Sequence, residues 1–300
     1  MNYKDIIKNK NTRMAILHYL EWIPDSIMVK MQYFLHTGRI INLNNPKTFT
    51  EKIQWYKLYY RKSIMTECVD KFAAKKYVAT KLKTDKYIIP TIGHWQCANE
   101  INFDDLPDKC VLKTTNGSGT NIFFERGENT NVEGIRKQLD IWLKQVNKSA
   151  GREWAYDNVK GSIICEPILE SIGQAGKGLD DYKFFCFNGK VAMKWVDYDR
   201  FAGHKRVLFD RDGKRLDIAC TYPSPQNFNC PNDAFDVLQP IAEKLAEDFP
   251  HARIDLYYTN NKAYFGEITF YSGSGYEMFS DKEYDLLLGH EFILPKIDRG

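Results

Sequence analysis

Three hundred residues with 43% hydrophobic content suffice for one large domain or two to three smaller ones, each with its own core. A net charge of +3, with 42 basic and 39 acidic residues interleaved along the chain, argues against a nucleic-acid binder, which would carry a basic stripe. Seven scattered cysteines without a paired Cys-x-x-Cys spacing and six dispersed histidines argue against a zinc site or a His-based metal cluster, and point to a reduced cytoplasmic compartment.

The opening Met1-Asn-Tyr-Lys-Asp lacks the build of a signal peptide. The apolar stretch from Met14 to Leu35 is interrupted by Glu21, Pro24, Asp25 and Lys30, too polar for a bilayer core. Its helices are expected to pack on the rest of the protein or to lie along a membrane surface. Residues 1–65 read as helical throughout. Thr48-Phe-Thr-Glu51 after Pro46 is a capping box, opening a helix through Ile53, Trp55, Tyr56 and Tyr59. A second helix is expected from about Thr66 to Leu82, with Asp70 and Lys71 in its first turns and Val69, Phe72, Ala73, Tyr77 and Val78 at helical spacing. Tyr87-Ile-Ile-Pro-Thr reads as a short strand. Cys110 to Phe124 reads as strand, small-residue loop and strand, followed by an amphipathic helix from about Val132 to Val146.

Ser162 to Leu169 is a buried strand that ends at Pro167, and a Gly-rich insertion spans Gly173 to Gly178. Strands Tyr182–Phe187 and Val191–Val196 flank the hairpin signal Asn188-Gly189, and Asp210 to Lys214 is another turn. Asn232 is expected to cap a helix reaching about Phe249. The last paired strands flank Asn260-Asn261. On them Arg253, Asp255 and Tyr257 share one face, as do Phe265, Glu267 and Thr269. A connection with an odd number of residues, Asn260 to Lys262, places Asp255 opposite Glu267 and Arg253 opposite Thr269. A strict two-residue turn places Asp255 and Glu267 on opposite faces. In the first register, two carboxylates and a hydroxyl offer the hard oxygen ligands Mg²⁺ prefers, or else they form a solvated face with a cross-strand ion pair.

Other constellations admit a chemical and an ordinary reading. The loop Asn116-Gly-Ser-Gly-Thr-Asn121 lets backbone N–H groups converge on an anion, or is a plain turn. It is neither a P-loop nor a dinucleotide fingerprint. Lys113, in an otherwise apolar strand just before it, is costly to bury unless something anionic meets it. Glu166 at its strand end can face an adenine edge or be a simple terminal acid. Asp181, in Asp180-Asp181-Tyr-Lys183, can take ribose hydroxyls or sit in a solvated loop. Lys194, Arg200, Lys205 and Arg206 can hold a transferring phosphate or be surface charges.

The order of these blocks resembles the ATP-grasp superfamily, and within it the TupA-like branch of teichuronopeptide and surface-polysaccharide biosynthesis. The resemblance runs from about Asn44 to near Leu288 through "NPKTFTEKIQWYKLYYR", "VDK", "PTIGHW", "LPDKCVLKTTNGSGTNI", "DYKFFCFNGK", "DYDR" and "FPHARIDLYYTNNKAYFGEITFYSGSG". It implies an α+β ATP-grasp fold, two subdomains clamping ATP. The division expected is a helical N-terminal extension (1–65), a central subdomain with a Gly-rich flap (66–166) and a C-terminal subdomain with the metal site (167–300).

The resemblance also implies roles. Lys71 and Lys113 touch nucleotide phosphates beneath a flap of Gly117, Ser118 and Gly119, and Lys194 is counted with them among the cofactor-binding residues. Glu166 and the backbone at Ile168 hold adenine, and Asp181 the ribose. Asp255, Glu267 and Thr269 hold two Mg²⁺ ions, with Glu267 as the bridge, and Arg253 stabilises the transferring phosphoryl group. Relatives such as the D-alanine–D-alanine ligases carry Asn where this chain has Thr269, and a hydroxyl is the poorer ligand for a second ion. The loop Ser272 to Gly275 supplies donors near the acceptor. The activity implied is ATP- and Mg²⁺-dependent ligation of a small-molecule or glycan carboxylate to an amine, in the cytoplasm or at the inner face of the membrane with peripheral association. The competing readings are a glycosyltransferase using Asp197-Tyr-Asp199 and an ATP-grasp kinase.

Overall fold

The computed structural model describes residues 9–128, 130–144, 151–169, 178–200, 203–228, 230 and 233–296. The expected Gly-rich insertion up to residue 177, the cap at Asn232 and the helix end at Val146 lie outside them. The N-terminal region is helical: α1 (Lys10–Tyr19) and α2 (Asp25–Thr37) are separated at Pro24, and α3 runs Phe49–Tyr59. The capping box forms as the sequence implies. Thr48 Oγ1 accepts the Glu51 N–H at 3.3 Å, and Glu51 Oε2 accepts the Thr48 N–H at 3.2 Å.

The helix expected over residues 66–82 is two helices, α4 (Ser63–Val69) and α5 (Ala73–Leu82). Asp70 makes the break. Its carboxylate accepts the N–H groups of Phe72 (2.8 Å) and Ala73 (2.7 Å), so the chain restarts there and Lys71 stands at the corner. Tyr87 to Thr91 is not a strand. Its carbonyls are taken individually, Tyr87 O by the Phe265 N–H (2.7 Å) and Ile89 O by Lys75 Nζ (2.8 Å), and strand pairing resumes only at β1 (Gly93–Trp95).

Two antiparallel sheets follow. The first has the order β1-β4-β2-β3, with β2 Lys109–Thr114, β3 Asn121–Glu125 and β4 Ile163–Glu166, and α6 (Val132–Lys144) lies over it. Leu139 is buried there, with Ile135, Trp142 and Leu143 packed beside it. The second sheet has the order β7-β6-β5-β8-β9: β5 Asp181–Phe187, β6 Lys190–Tyr198, β7 Lys205–Asp210, β8 His251–Thr259 and β9 Lys262–Thr269. Helix α7 (Ala234–Ala246) covers one face, and α8 (Lys282–Glu291) follows β9. Met65, Cys68 and Val69 of α4 and Ala74 and Val78 of α5 join the larger core with this second sheet, not the core of the first. Among the described residues no helix is long and apolar enough to cross a membrane.

The two faces of the second sheet differ. One carries Tyr182, Phe184, Ile254, Leu256 and Ile268 toward the core under α7. The other is divided. Phe185, Phe187 and His251 meet Phe49 of α3, while the opposite ends of the same strands are charged. His251 is the hub of the apolar half, with Phe292 5.3 Å away and Nδ1–H donating to Cys186 O at 3.1 Å. Burial, aided by the Arg253 charge, pushes its imidazole down to about 3.

The folded chain therefore holds His251 neutral while the unfolded chain protonates it below its ordinary value near 6.5. Its contribution to stability is lost as pH falls from about 6.5 toward about 3. Urea midpoints measured across that window should fall for the native chain and fall less for His251→Phe. Equal slopes would remove His251 from the acid response.

Candidate active site

The charged half of that sheet face is built by the last hairpin. The turn at Asn260-Asn261 has two residues, with φ of 53° and 57°, the left-handed pair a tight hairpin needs. By parity alone this separates Asp255 from Glu267, contrary to the odd-length connection expected. The register is restored by a β-bulge: Leu256 pairs with Phe265 and Asp255 with Glu267, leaving Gly266 as the extra residue. A Cβ at Gly266 would stand 2.9 Å from Asp255 O, so the bulge requires glycine.

Arg253 then lies opposite Thr269 and forks onto Asp255, Nε to Oδ1 and Nη2 to Oδ2, both at 2.7 Å. The same guanidinium donates to Glu267 Oε1 (3.0 Å), Thr269 Oγ1 (3.2 Å) and Ser272 Oγ (2.9 Å). On the neighbouring strand, Lys183 donates to Asp255 Oδ2 at 2.5 Å and also to Asp181, which in turn accepts from Arg200 at 3.1 Å. Burial would raise the Asp255 carboxyl, but Arg253 and Lys183 hold it below the usual range. Asp181, penalised by burial and by the nearby Asp255 charge, is pushed up.

A second cluster comes from the first sheet and α5. Glu166 is clasped by Lys113 Nζ on Oε2 and Lys75 Nζ on Oε1, both at 2.6 Å. Those two ammoniums outweigh burial and lower its carboxyl below the ordinary range. Lys71, held at the α4–α5 corner, donates to Gly117 O of the Gly-rich loop, and its main-chain N–H donates to Thr115 O at 3.2 Å. Burial lowers its ammonium, with Glu267 the strongest countervailing charge and Lys113 adding to the depression. Lys71 thus stands within the field of both clusters. Ser118 and Gly119 are exposed at the loop tip, and Gly119 has φ +72°. Ile168 is half-buried in the irregular chain just past Pro167.

The structure does not bring Lys194 to this place. It pairs with Phe184 and Phe209, on the α7 face of the sheet, with its ammonium 4.6 Å above the Phe235 ring, and burial lowers its affinity for a proton. Neither acid of Asp197-Tyr-Asp199 stands ready for a metal. Asp197 is gripped by Arg206 at 2.6 and 3.0 Å, and Asp199 by Lys205 at 2.8 Å.

Sequence reasoning passed over three lysines. Lys75 lies four residues after Lys71, and Lys183 two after Asp181, a strand spacing that sets both on one face. Lys57 is fully buried and donates to Gly151 O (2.9 Å) and Ser274 Oγ (3.2 Å), and burial pulls its ammonium down to about 8. Beside it, Gln54 Nε2 donates to Ser274 O (3.0 Å) and Gly275 O (2.9 Å). Helix α3 therefore braces the left-handed run Gly273-Ser274-Gly275 next to Arg253. No signal in the pattern of α3 singled these residues out.

Among the described residues no group of three or more His, Cys, Asp or Glu stands in metal-ligating geometry. The donor set is two carboxylates and a hydroxyl, too few for a protein-only cage. Such a set would suit Mg²⁺, which draws its remaining ligands from phosphate and water, once the Asp255 oxygens, both held here by Arg253 and one also by Lys183, were released to the ion.

The family model described as TupA-like ATPgrasp matches residues 51–293. The chain belongs to this ATP-grasp family, and the mixed helix-and-sheet architecture is its fold. A comparison with curated proteins gave no match. Among solved structures it is similar to a D-alanine–D-alanine ligase from Bacillus anthracis (15% identity, 68% of this chain and 57% of that chain, TM-score 0.39). It is also similar to the ligase of that name from Helicobacter pylori (17% identity, 76% and 61%, TM-score 0.40). The ATP-grasp ligase PsnB, solved with a phosphomimetic variant of its minimal precursor, Mg and ADP, is a third (8% identity, 74% and 57%, TM-score 0.39). The chain thus spans 57–61% of the length of these ligases.

Two substitutions probe this geometry. Gly266→Ala should destabilise the chain by about 1–3 kcal/mol, the usual cost of overpacking, read from urea midpoints; an unchanged midpoint would mean that the bulge tolerates a side chain. Lys113→Ala should weaken binding of an ATP analogue by about 1.5–3 kcal/mol, the scale of a charge-assisted hydrogen bond, read by calorimetry.

Proposed function

We propose that this chain is an ATP- and Mg²⁺-dependent carboxylate–amine ligase acting through an acyl phosphate. We further propose that it attaches an amino acid or other amine to a sugar acid in surface-polysaccharide biosynthesis, in the cytoplasm or at the inner face of the membrane. The observation that carries the reading is the register that sets Arg253, Asp255, Glu267 and Thr269 on one sheet face, within the field of Lys71.

In this reading Lys71 and Lys113 hold the triphosphate, Gly117 to Gly119 close over it, Glu166 and the backbone at Ile168 take the base, and Asp181 takes the ribose. Asp255 and Glu267, with Thr269 as a weaker third donor, would hold Mg²⁺, which supplies charge neutralisation at the phosphates. A substrate carboxylate oxygen attacks the γ-phosphorus as the bond to the ADP oxygen breaks. The amine nitrogen then attacks the acyl carbon and sheds a proton, and the C–O bond to phosphate breaks. Arg253 sits where charge accumulates on the transferring group, already oriented by its fork to Asp255. The Ser272–Gly275 loop braced by α3 positions the acceptor, and the flap keeps water from the acyl phosphate.

Incubation with ATP, Mg²⁺ and panels of uronic acids and amines should release ADP and phosphate only when both co-substrates are present. ADP with a stable phosphorylated product would instead make the protein a kinase, and nucleoside diphosphate released from a sugar nucleotide without ATP would make it a transferase. Glu267→Gln should abolish turnover while leaving the unfolding midpoint in place. Unaltered turnover would remove Glu267 from the metal site.

A further inference from the structure

The loop after β9 touches Arg253 through Ser272 and leads to a carboxylate that the proposed ligase chemistry does not use. Glu277 is buried, only 7% exposed, and its Oε1 accepts the Ser272 hydroxyl at 2.8 Å. Its other oxygen, Oε2, has no hydrogen-bond partner among the described residues. Burial pushes the carboxyl up, while the charges of Arg206 and Arg253 work against that rise. A buried carboxylate held by one hydroxyl is a poor way to stabilise a loop, because desolvating the charge costs more than one hydrogen bond returns. A group buried in this state has its reason outside packing.

The direction of the hydrogen bonds supplies that reason. An ionised carboxylate only accepts, so the Ser272 O–H is committed to Glu277 and the lone pairs of Oγ are left for Arg253. Arg253 Nη1 donates to that oxygen at 2.9 Å, the one acceptor described for Nη1. The fork to Asp255 fixes the Nε–Nη2 edge of the guanidinium, and Ser272 holds the opposite corner. Without Glu277 the hydroxyl is free to turn and donate elsewhere, and the corner loses its fixed acceptor. The fit is close on the carbon side as well: a Cβ at Gly273, where φ is +52°, would stand 2.4 Å from Glu277 Cγ. The loop is thus held at both ends, by Gln54 and Lys57 at Ser274 and Gly275 and by Glu277 at Ser272.

We propose that Glu277 is a positioning residue: through the Ser272 hydroxyl it sets the Nη1 corner of Arg253 for the γ-phosphoryl group of a bound nucleoside triphosphate. The proposal rests on the ATP-dependent part of the ligase reading and on neither co-substrate. Displacing that corner weakens the hold on the γ-phosphoryl group and leaves the contacts to the base, the ribose and the inner phosphates in place.

The test is calorimetry of the full chain with Mg²⁺ and either ADP or the non-hydrolysable analogue adenylyl imidodiphosphate, read as the ratio of the two affinities. Glu277→Ala and Ser272→Ala should each reduce the preference for the triphosphate by about tenfold, the scale of one charge-assisted hydrogen bond, while ADP affinity and the unfolding midpoint hold. The double variant should lose no more than either alone, since both cut the same chain of hydrogen bonds. Glu277→Gln, whose amide oxygen still accepts, should keep most of the preference; a loss as large as that of Glu277→Ala would assign the effect to charge and overturn the route through the hydroxyl. An unchanged preference in Glu277→Ala, or additive losses in the double variant, overturns the proposal and leaves the ligase reading intact. Equal loss of both nucleotides overturns it too, making Glu277 a prop of the fold, as does a native chain that binds both nucleotides alike. A native chain that binds neither nucleotide overturns the ligase reading, and this proposal with it.

Discussion

The fork of Arg253 onto Asp255 is the interaction on which the rest is arranged. Both groups are almost wholly buried, and removing two charges from water is compensated only when geometry is good and every remaining donor is satisfied. Here the guanidinium spends its other N–H groups on Glu267, Thr269 and Ser272, and the carboxylate takes Lys183 as well. Apolar packing of the same volume is often as stable as a buried ion pair, so stability is a weak account of the cluster. Under the proposed function the cluster is instead a surface pre-set to receive a highly charged ligand. Because the donors are already oriented, little reorganisation is needed when negative charge arrives.

That cluster survives because the sheet is partitioned. On the face under α7 the strands are apolar. On the other face the half near His251 is filled by Phe49 and Phe292, and only the remaining half is left polar. The helical N-terminal region is thus not an appendage to the site. It seals the apolar half of the working face and, through Gln54 and Lys57, fixes the loop that borders the charged half. Gly275 shows how close that fit is, since a Cβ there would stand 2.5 Å from Gln54 Nε2.

Much of this was legible in the sequence, and the exceptions have physical reasons. The capping box at Thr48–Glu51, the Asn188-Gly189 and Asn260-Asn261 turns and the face shared by Arg253 and Asp255 are local patterns, and local patterns hold wherever short-range hydrogen bonding decides the outcome. The opposition of Asp255 and Glu267 was reached through the wrong intermediate. The turn has two residues, and the parity is repaired by a bulge at Gly266, which an isolated glycine within a strand can signal. Lys194 was misplaced because β6 is buried on both faces, so the alternation that usually reveals orientation is absent. The break at Asp70 was hidden because α4 and α5 share a helical apolar spacing, and only the side chain of Asp70, folded back on the N–H groups of Phe72 and Ala73, interrupts it.

The break at Asp70 also sets Lys71 where charges of both clusters act on it. An unbroken helix from 66 to 82 would carry Lys71 along its side, one residue among several on a solvated face. Ending α4 at Val69 and restarting at Ala73 turns Lys71 into a corner residue. Its backbone is tied to Thr115 and its ammonium to Gly117, beneath the Gly-rich loop. From there it experiences Glu267 of the second sheet and Lys113 of the first. A single kink, held by one carboxylate, thus supplies a cation tied to the Gly-rich loop through Gly117 and influenced by Glu267 of the second sheet.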